Sequence, residues 1–248
     1  MPHEFEPPDL PALTWGDPLD RWAVVITGGS PLRPDVVARL PTHRFVIAAD
    51  SGLDHAIAAG ITPDLVVGDL DSVSAAGVAW ARRRNIPIEV HPTDKDHTDT
   101  QLALGAALDP SVTRGRIDSV VLVGGGGDRL DHSISALTAL GHPSLGACKH
   151  VRSLWGTSLV QVLHAPGFWE FALAPDTTFS LLALHGECGR VSLAGATWPL
   201  VDADIEPGSS LGVSNVAIDT LRLSVGSGVL TLIVAHFLPT TTFSGDPS

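Results

Sequence analysis

The chain has 248 residues, 44% hydrophobic and 17% charged, enough for one large domain or two modest ones around a filled core. Its formal net charge of -12 speaks against a nucleic-acid or anionic-membrane surface, since both need clustered Lys and Arg. No apolar run is long enough to cross a bilayer, and the acidic, Pro-rich residues 1–20 lack the basic end and apolar centre of a secretion signal, so they read as a loose tail on a cytoplasmic protein.

From residue 21 onward, short apolar runs alternate with helical patterns. WAVVIT (22–27), FVIAA (45–49), DLVV (64–67), IPIEV (86–90) and SVVLV (119–123) predict strands buried on both faces. Between them, RPDVVARL has Pro34 near a first turn, and SGLDHAIAAG ends on Gly60. SVSAAGVAWARRR runs from serines to arginines, and TDTQLALGAAL carries Thr98 and Gln101 at capping-box spacing. Strand alternating with helix implies a parallel sheet covered by helices on both sides.

After about residue 155 the rhythm changes. SLVQVLHA, FWEFAL, TFSLLAL, GRVSLAG, DTLRLSV and GVLTLIVAHF are short, partly alternating runs punctuated by Gly, Pro, Asp and Ser, which predict an antiparallel sandwich or barrel. The expected fold is therefore α/β: a parallel-sheet, Rossmann-like catalytic domain over 21–155, then a smaller all-β sandwich domain over 156–240 and a tail over 241–248. Cys148 and Cys188 share no metal-ligand spacing and read as buried thiols.

Of the 27 acidic residues 21 are Asp, a residue suited to caps, turns and metal shells. They gather with glycine where the predicted parallel strands end: TGGSP (27–31), ADSGLD (49–54), GDLDS (68–72), HPTDKDHTD (91–99) and GGGGDRLDH (124–132). Ligands of such sheets bind at those carboxyl ends. Gly28 and Gly29 make either a tight turn or a phosphate approach, and Asp50 either a helix cap or a ligand. Asp69 and Asp71, two apart in an extended segment, would point the same way and converge on a cation. Asp94, Asp96 and Asp99 surround the turn that opens a helix capped by Thr98. The four glycines let backbone approach a ligand, Arg129 offers a planar fork for phosphate, and His132 is a proton carrier or a donor at a helix start. Oxygen-only acidic ligands select a hard cation such as Mg²⁺, completed by substrate phosphates. The residues thus point to magnesium-dependent phosphoryl or nucleotidyl chemistry.

At these positions the sequence resembles the thiamine pyrophosphokinase family. ADSG (49–52), Pro63-Asp64 with GDLDS, DHTD (96–99) and the glycine-rich RLDH (129–132) match its first-half motifs. GATWPL (195–200), GVSN (212–215) and GSGVLTL match its second half. The resemblance covers about residues 22–236. It implies a dimer that moves a pyrophosphoryl group from ATP to the hydroxyethyl alcohol of thiamine and releases AMP. By resemblance Asp69, Asp71 and Asp99 bind Mg²⁺, with Asp96 in the same acidic shell and Asp71, Asp96 and Asp99 as the catalytic set. Arg129, Asp131 and His132 would line the nucleotide and substrate cleft, and Gly28, Gly29, Asp50 and Gly52 at the first two strand ends are expected to bind the nucleotide with them. Trp198, Ser214 and Asn215 contact thiamine, and the site is shared between subunits. The chain departs from the family's pattern at Gln101 and Val216, and in the stretch GHPSLGACKHVRSLWGTS. A pyrophosphokinase for another alcohol, such as a hydroxymethylpterin, and a non-catalytic nucleotide-binding regulator are the rival readings.

Overall fold

The computed structural model describes residues 17–125 and 129–237; the expected tails fall wholly or largely outside these, as do residues 126–128 of the glycine-rich loop. The first part runs β1 (Trp22–Gly29), α1 (Pro34–Ala38), β2 (Arg44–Ala49), α2 (Gly52–Ala58), β3 (Leu65–Gly68), α3 (Ala75–Arg83), β4 (Ile88–Val90), α4 (Asp99–Leu108), α5 (Pro110–Thr113), β5 (Ser119–Gly125), α6 (Leu130–Ala139), a 3-10 turn (Pro143–Ala147) and β6 (His150–Trp155). The remainder is strands: β7 (Ser158–His164), β8 (Gly167–Phe171), β9 (Thr178–Leu182), β10 (Cys188–Ala196), β11 (Leu200–Ile205), β12 (Asn215–Val225) and β13 (Val229–Val234).

The first six strands lie side by side in the order β4-β3-β2-β1-β5-β6, all parallel. Their Val- and Ile-rich sequences follow from burial on both faces: Trp22 through Ile26 of β1 are 0–1% exposed. The chain builds β1 to β4 on one side of β1 and returns with β5 on the other. The strand order therefore reverses between β1 and β5, where a crevice opens beyond the carboxyl ends. Helix starts face the same edge. Ser74 caps α3 by accepting from the Gly77 N–H at 2.9 Å. Thr98 and Gln101 form the expected reciprocal capping box on α4.

Four elements were not anticipated: α5, the 3-10 turn, β6 and β11. β6 pairs in parallel with β5 and antiparallel with β7, and the ladder continues through β13 and β9 to the start of β12. One hydrogen-bonded sheet thus passes through residue 155 without a break. The rest of β12 belongs to a second sheet with β8, β10 and β11. Residues of both sheets pool in one core that includes Phe179, Leu181, Val191, Leu193, Leu221 and Leu223, and that extends to Val24 and Ile26 of β1. The architecture is a mixed α/β sheet leading into a strand-rich second part. Cys188 is buried and Cys148 half-buried, both free thiols. Among the described residues no helix is long and apolar enough to cross a membrane.

Candidate active site

A polar cleft of about 550 Å³ lies at the β1/β5 switch point. Thr27, Gly28 and Gly29 line it from the end of β1, and Asp50 and Ser51 from the end of β2. Asp69, Asp71 and Ser72 follow β3; Thr98, Asp99 and Thr100 open α4; Arg129, His132 and Ser133 open α6. Trp155, the last residue of β6, adds an aromatic wall. A second hollow of about 420 Å³ on another face of α4 is mostly apolar and does not share this acidic set.

Close approach at the floor depends on glycine. A Cβ on Gly68 would sit 3.2 Å from both the Asp50 Cβ and an Asp99 carboxylate oxygen, and its φ of +151° lies where side chains are rarely tolerated. A Cβ on Gly52 would fall 2.1 Å from the Ile26 carbonyl oxygen. Gly52 therefore seats α2 against β1 and is not itself part of the cleft lining.

Asp50 does not cap α2, whose N-cap, Ser51, makes no side-chain cap bond. Its backbone is left-handed, at φ +47°, and its N–H is spent on the Val67 carbonyl of β3. Among the described residues its Oδ1 is buried without a hydrogen-bond partner. Burial raises the Asp50 pKa above the usual carboxylate value, and the nearby Asp99, Asp71 and Asp69 charges push the same way.

Asp69 and Asp71 do converge, but not along an extended strand. β3 ends at Gly68, Leu70 adopts φ +66°, and the Asp71 N–H donates to Asp69 Oδ1 at 3.2 Å. This side-chain turn brings the two carboxylates together more tightly than a pleat would. Oxygens of Asp50, Asp69 and Asp71 lie within 4.8 Å of one another. Three convergent carboxylates, one with an orphaned buried oxygen, are a donor set that fits a hard divalent cation.

Asp99 stands beside this trio but is engaged by Lys95, a residue sequence reading passed over. Lys95 Nζ donates to Asp99 Oδ1 at 2.7 Å and to Asp69 Oδ2 at 3.1 Å. Asp69 is pushed up by partial burial, yet the Asp71 N–H and the Lys95 ammonium bring it below the ordinary value. Asp96 is exposed on the loop before α4 and does not line the cleft.

At the other wall Arg129 and Asp131 form a two-pronged pair, Nε to Oδ1 at 3.0 Å and a terminal nitrogen to Oδ2 at 2.7 Å. The Arg129 bond holds the Asp131 carboxyl well below the usual range. Both side chains are exposed, and Arg129 and His132 face the cleft while Asp131 braces the arginine.

Trp198, Ser214 and Asn215 cluster elsewhere, on the strand-rich part. Asn215 is buried and bonds both backbone polar groups of Trp198, whereas the Trp198 ring is 59% exposed. Ser214, at φ +57°, donates its N–H to the Ser180 hydroxyl. Among the described residues of one chain, none of the three lines the acidic cleft.

A switch-point cleft in an α/β sheet that sets convergent carboxylates opposite an arginine has the make-up of a site for phosphorylated substrates. The family model "Thiamin pyrophosphokinase, catalytic domain" matches residues 38–150, and "Thiamin pyrophosphokinase, vitamin B1 binding domain" matches residues 171–230, together more than half of the chain. The chain belongs to the thiamine pyrophosphokinase family of ATP-dependent diphosphotransferases. The thiamine pyrophosphokinase of Bacillus subtilis (strain 168) is 26% identical over 212 residues, which cover 85% of this chain and 96% of the relative. A crystal structure of the Bacillus subtilis enzyme matches with a TM-score of 0.72 at 24% identity, over 87% of this chain and 98% of that one. The structure of thiamin pyrophosphokinase from Candida albicans matches at 0.70 and 12% identity, over 88% and 94%. At these identities the structures show a shared fold.

Proposed function

We propose that the chain converts thiamine and ATP to thiamine diphosphate and AMP, with Mg²⁺ as the cation. The observation that carries this reading is the carboxylate trio with its orphaned Asp50 oxygen, facing Arg129 across the switch-point cleft. Asp50, Asp69 and Asp71 would hold the metal, with Asp99 as a further ligand once Lys95 releases it. When bound, the cation neutralises phosphate charge and orients the leaving group. Gly28 and Gly29 line the cleft at the end of β1, and Arg129 would receive phosphate there as a planar fork.

The thiamine hydroxyl oxygen forms a bond to the β-phosphorus as the bond from that phosphorus to the α,β-bridging oxygen breaks, and AMP departs. Asp71 is better placed than Asp96 to accept the hydroxyl proton, because it lies in the cleft and Asp96 does not. Ser72 donates to Asp71 Oδ1 at 2.8 Å and fixes its orientation.

A cationic thiazolium favours an aromatic face near negative charge. Trp198 offers the face, but from a region that does not line its own chain's acidic cleft. Val201, Val213 and Ile218 are also exposed on the strand-rich part, as expected of a surface that a partner covers. We therefore read the protein as a cytoplasmic homodimer in which a nucleotide-binding, Rossmann-like region (21–155) faces the partner's thiamine-binding β-sandwich (156–240). The test is product analysis with ATP and thiamine. AMP and thiamine diphosphate, formed only with a divalent cation, are expected; ADP and thiamine monophosphate would overturn the assigned reaction.

A further inference from the structure

Four carboxylates, Asp50, Asp69, Asp71 and Asp99, share the cleft. Without a cation they repel one another. In this structure the ammonium of Lys95 lies between Asp69 and Asp99, 3.1 and 2.7 Å from their oxygens, with the three side chains only 12–22% exposed. Both Asp69 oxygens are thereby committed, Oδ2 to Lys95 and Oδ1 to the Asp71 N–H. A divalent ion that used Asp69 and Asp99 would need the same oxygens and would meet a like charge at contact distance. Lys95 belongs to the loop between β4 and α4, and its four-carbon stem can carry the charge elsewhere. The triphosphate of an incoming nucleotide offers it new oxygen partners in the same cleft.

We propose that Lys95 is a placeholder cation: it holds the nucleotide-free carboxylates together, competes with the divalent ion for Asp69 and Asp99, and transfers to nucleotide phosphate on loading. The inference rests on the metal-site reading above. It makes Lys95 a positioning residue that couples the two ligands. The metal enters tightly only in company with nucleotide, so the empty enzyme is kept from trapping a bare ion.

The experiment measures Mn²⁺ binding to the nucleotide-free protein by the loss of the free-ion paramagnetic resonance signal. Lys95→Met and Lys95→Gln remove the charge, and Lys95→Arg keeps it. The expected result is about tenfold tighter Mn²⁺ binding in the first two, from the lost repulsion of one unit charge near contact, and near-normal binding in Lys95→Arg. The non-transferable analogue α,β-methylene-ATP should tighten Mn²⁺ binding in the parent protein and do so much less in Lys95→Met. The metal-free Lys95→Met protein should melt at a lower temperature than the parent, and Mn²⁺ should remove the difference.

Asp69→Asn separates the two readings. Unchanged or weaker Mn²⁺ binding in both neutral variants, with binding abolished by Asp69→Asn, overturns the placeholder role and leaves the metal site standing. Mn²⁺ binding that Asp69→Asn does not alter overturns the metal site itself, and the placeholder role with it.

Discussion

Asn215 clasps the backbone of Trp198 with both ends of its carboxamide. Its Nδ2 donates to the Trp198 carbonyl at 2.7 Å, and its Oδ1 accepts from the Trp198 N–H at 3.1 Å. The same Oδ1 accepts from the Val216 N–H at 2.9 Å. A side chain 1% exposed thus fixes the turn that presents an indole to solvent. Asn215→Asp keeps the shape but sets a carboxylate oxygen against the Trp198 carbonyl. Stability should fall by about 2 kcal/mol, the usual cost of a buried polar group left unmatched. The thiamine KM should rise about tenfold with a smaller change in kcat. Initial rates and thermal melts check this, and an unchanged KM would remove Trp198 from the acceptor site.

Asp71 tests the chemistry separately from the fold. It is exposed and packs no core, so Asp71→Asn should melt within about 0.5 kcal/mol of the parent. Turnover at saturating Mg²⁺ should drop at least a hundredfold, since charge stabilisation of this kind is worth several kcal/mol. Near-normal turnover would take Asp71 out of the metal and base roles.

The same variant tests the shared site. Asp71→Asn and Trp198→Ala homodimers should both be poorly active. Refolded together in equal amounts, half of the dimers should be mixed, and one site in each mixed dimer should carry neither change. About a quarter of parental activity should return by that pairing symmetry. No recovery, with mixed dimers confirmed by mass, rules out a site built from two chains.

Gly52 and Gly105 make a contrasting pair. A Cβ on Gly52 would lie 2.1 Å from the Ile26 carbonyl oxygen and 2.8 Å from its carbon, both rigid backbone. Gly52→Ala should cost about 2–4 kcal/mol and displace the strand end that carries Gly28 and Gly29. Gly105, exposed within α4, has nothing within 4 Å of its would-be Cβ. Gly105→Ala should instead stabilise by about 0.5–1 kcal/mol. Urea melts of the two variants give opposite signs if the α2–β1 contact is as tight as described.

His150 should make stability fall in mild acid. Its ring stacks on Trp22 at 5.7 Å with 1° between planes. Burial first, then the Arg152 charge, pushes its pKa from 6.5 to about 4; Asp20 opposes this and Lys149 adds to it. Above pH 6.5 the ring is neutral folded or unfolded. Between 6.5 and 4 the unfolded chain takes up a proton that the folded protein refuses, so stability is lost as pH falls through that window. After allowance for the ring's partial exposure the loss is about 2 kcal/mol. His150→Phe keeps the stack and removes the titration. Its urea midpoint should fall less than the parent's between pH 7.5 and 4.5, with a residue of slope left by His164 and His185, whose pKa values burial also lowers. Equal slopes would contradict the assignment.

The parallel strands and their acidic ends were legible because both leave local marks: runs of Val and Ile buried on two faces, and Asp or Gly where each run stops. Lys95 left no such mark. One lysine in an acidic run reads as a solvated charge until β3 and α4 bring Asp69 and Asp99 to either side of it. Asp50 read equally as a cap or a ligand because Asp serves both, and its left-handed backbone settles against the cap. β6 escaped notice because Arg152 and Ser153 interrupt its apolar pattern. They are tolerated inside since Arg152 Nε donates to Gln161 Oε1, at 2.6 Å, across the β6–β7 pair. Asp202 and Asp204 hid β11 in the same way.

The unbroken ladder from β5 through β6 and β7 to β13 has a mechanical consequence. Enzymes that engulf substrate by swinging one lobe against another need a seam with few crossing bonds. Here the seam would have to cut a row of backbone hydrogen bonds in the middle of a sheet. Among the described residues this sheet is a girder that carries no seam at the β6–β7 crossing. Any reshaping around substrate would fall to the loops off that girder, among them the segment between β4 and α4 that carries Lys95, and in the proposed dimer the distance between cleft and indole face would be set once, at assembly.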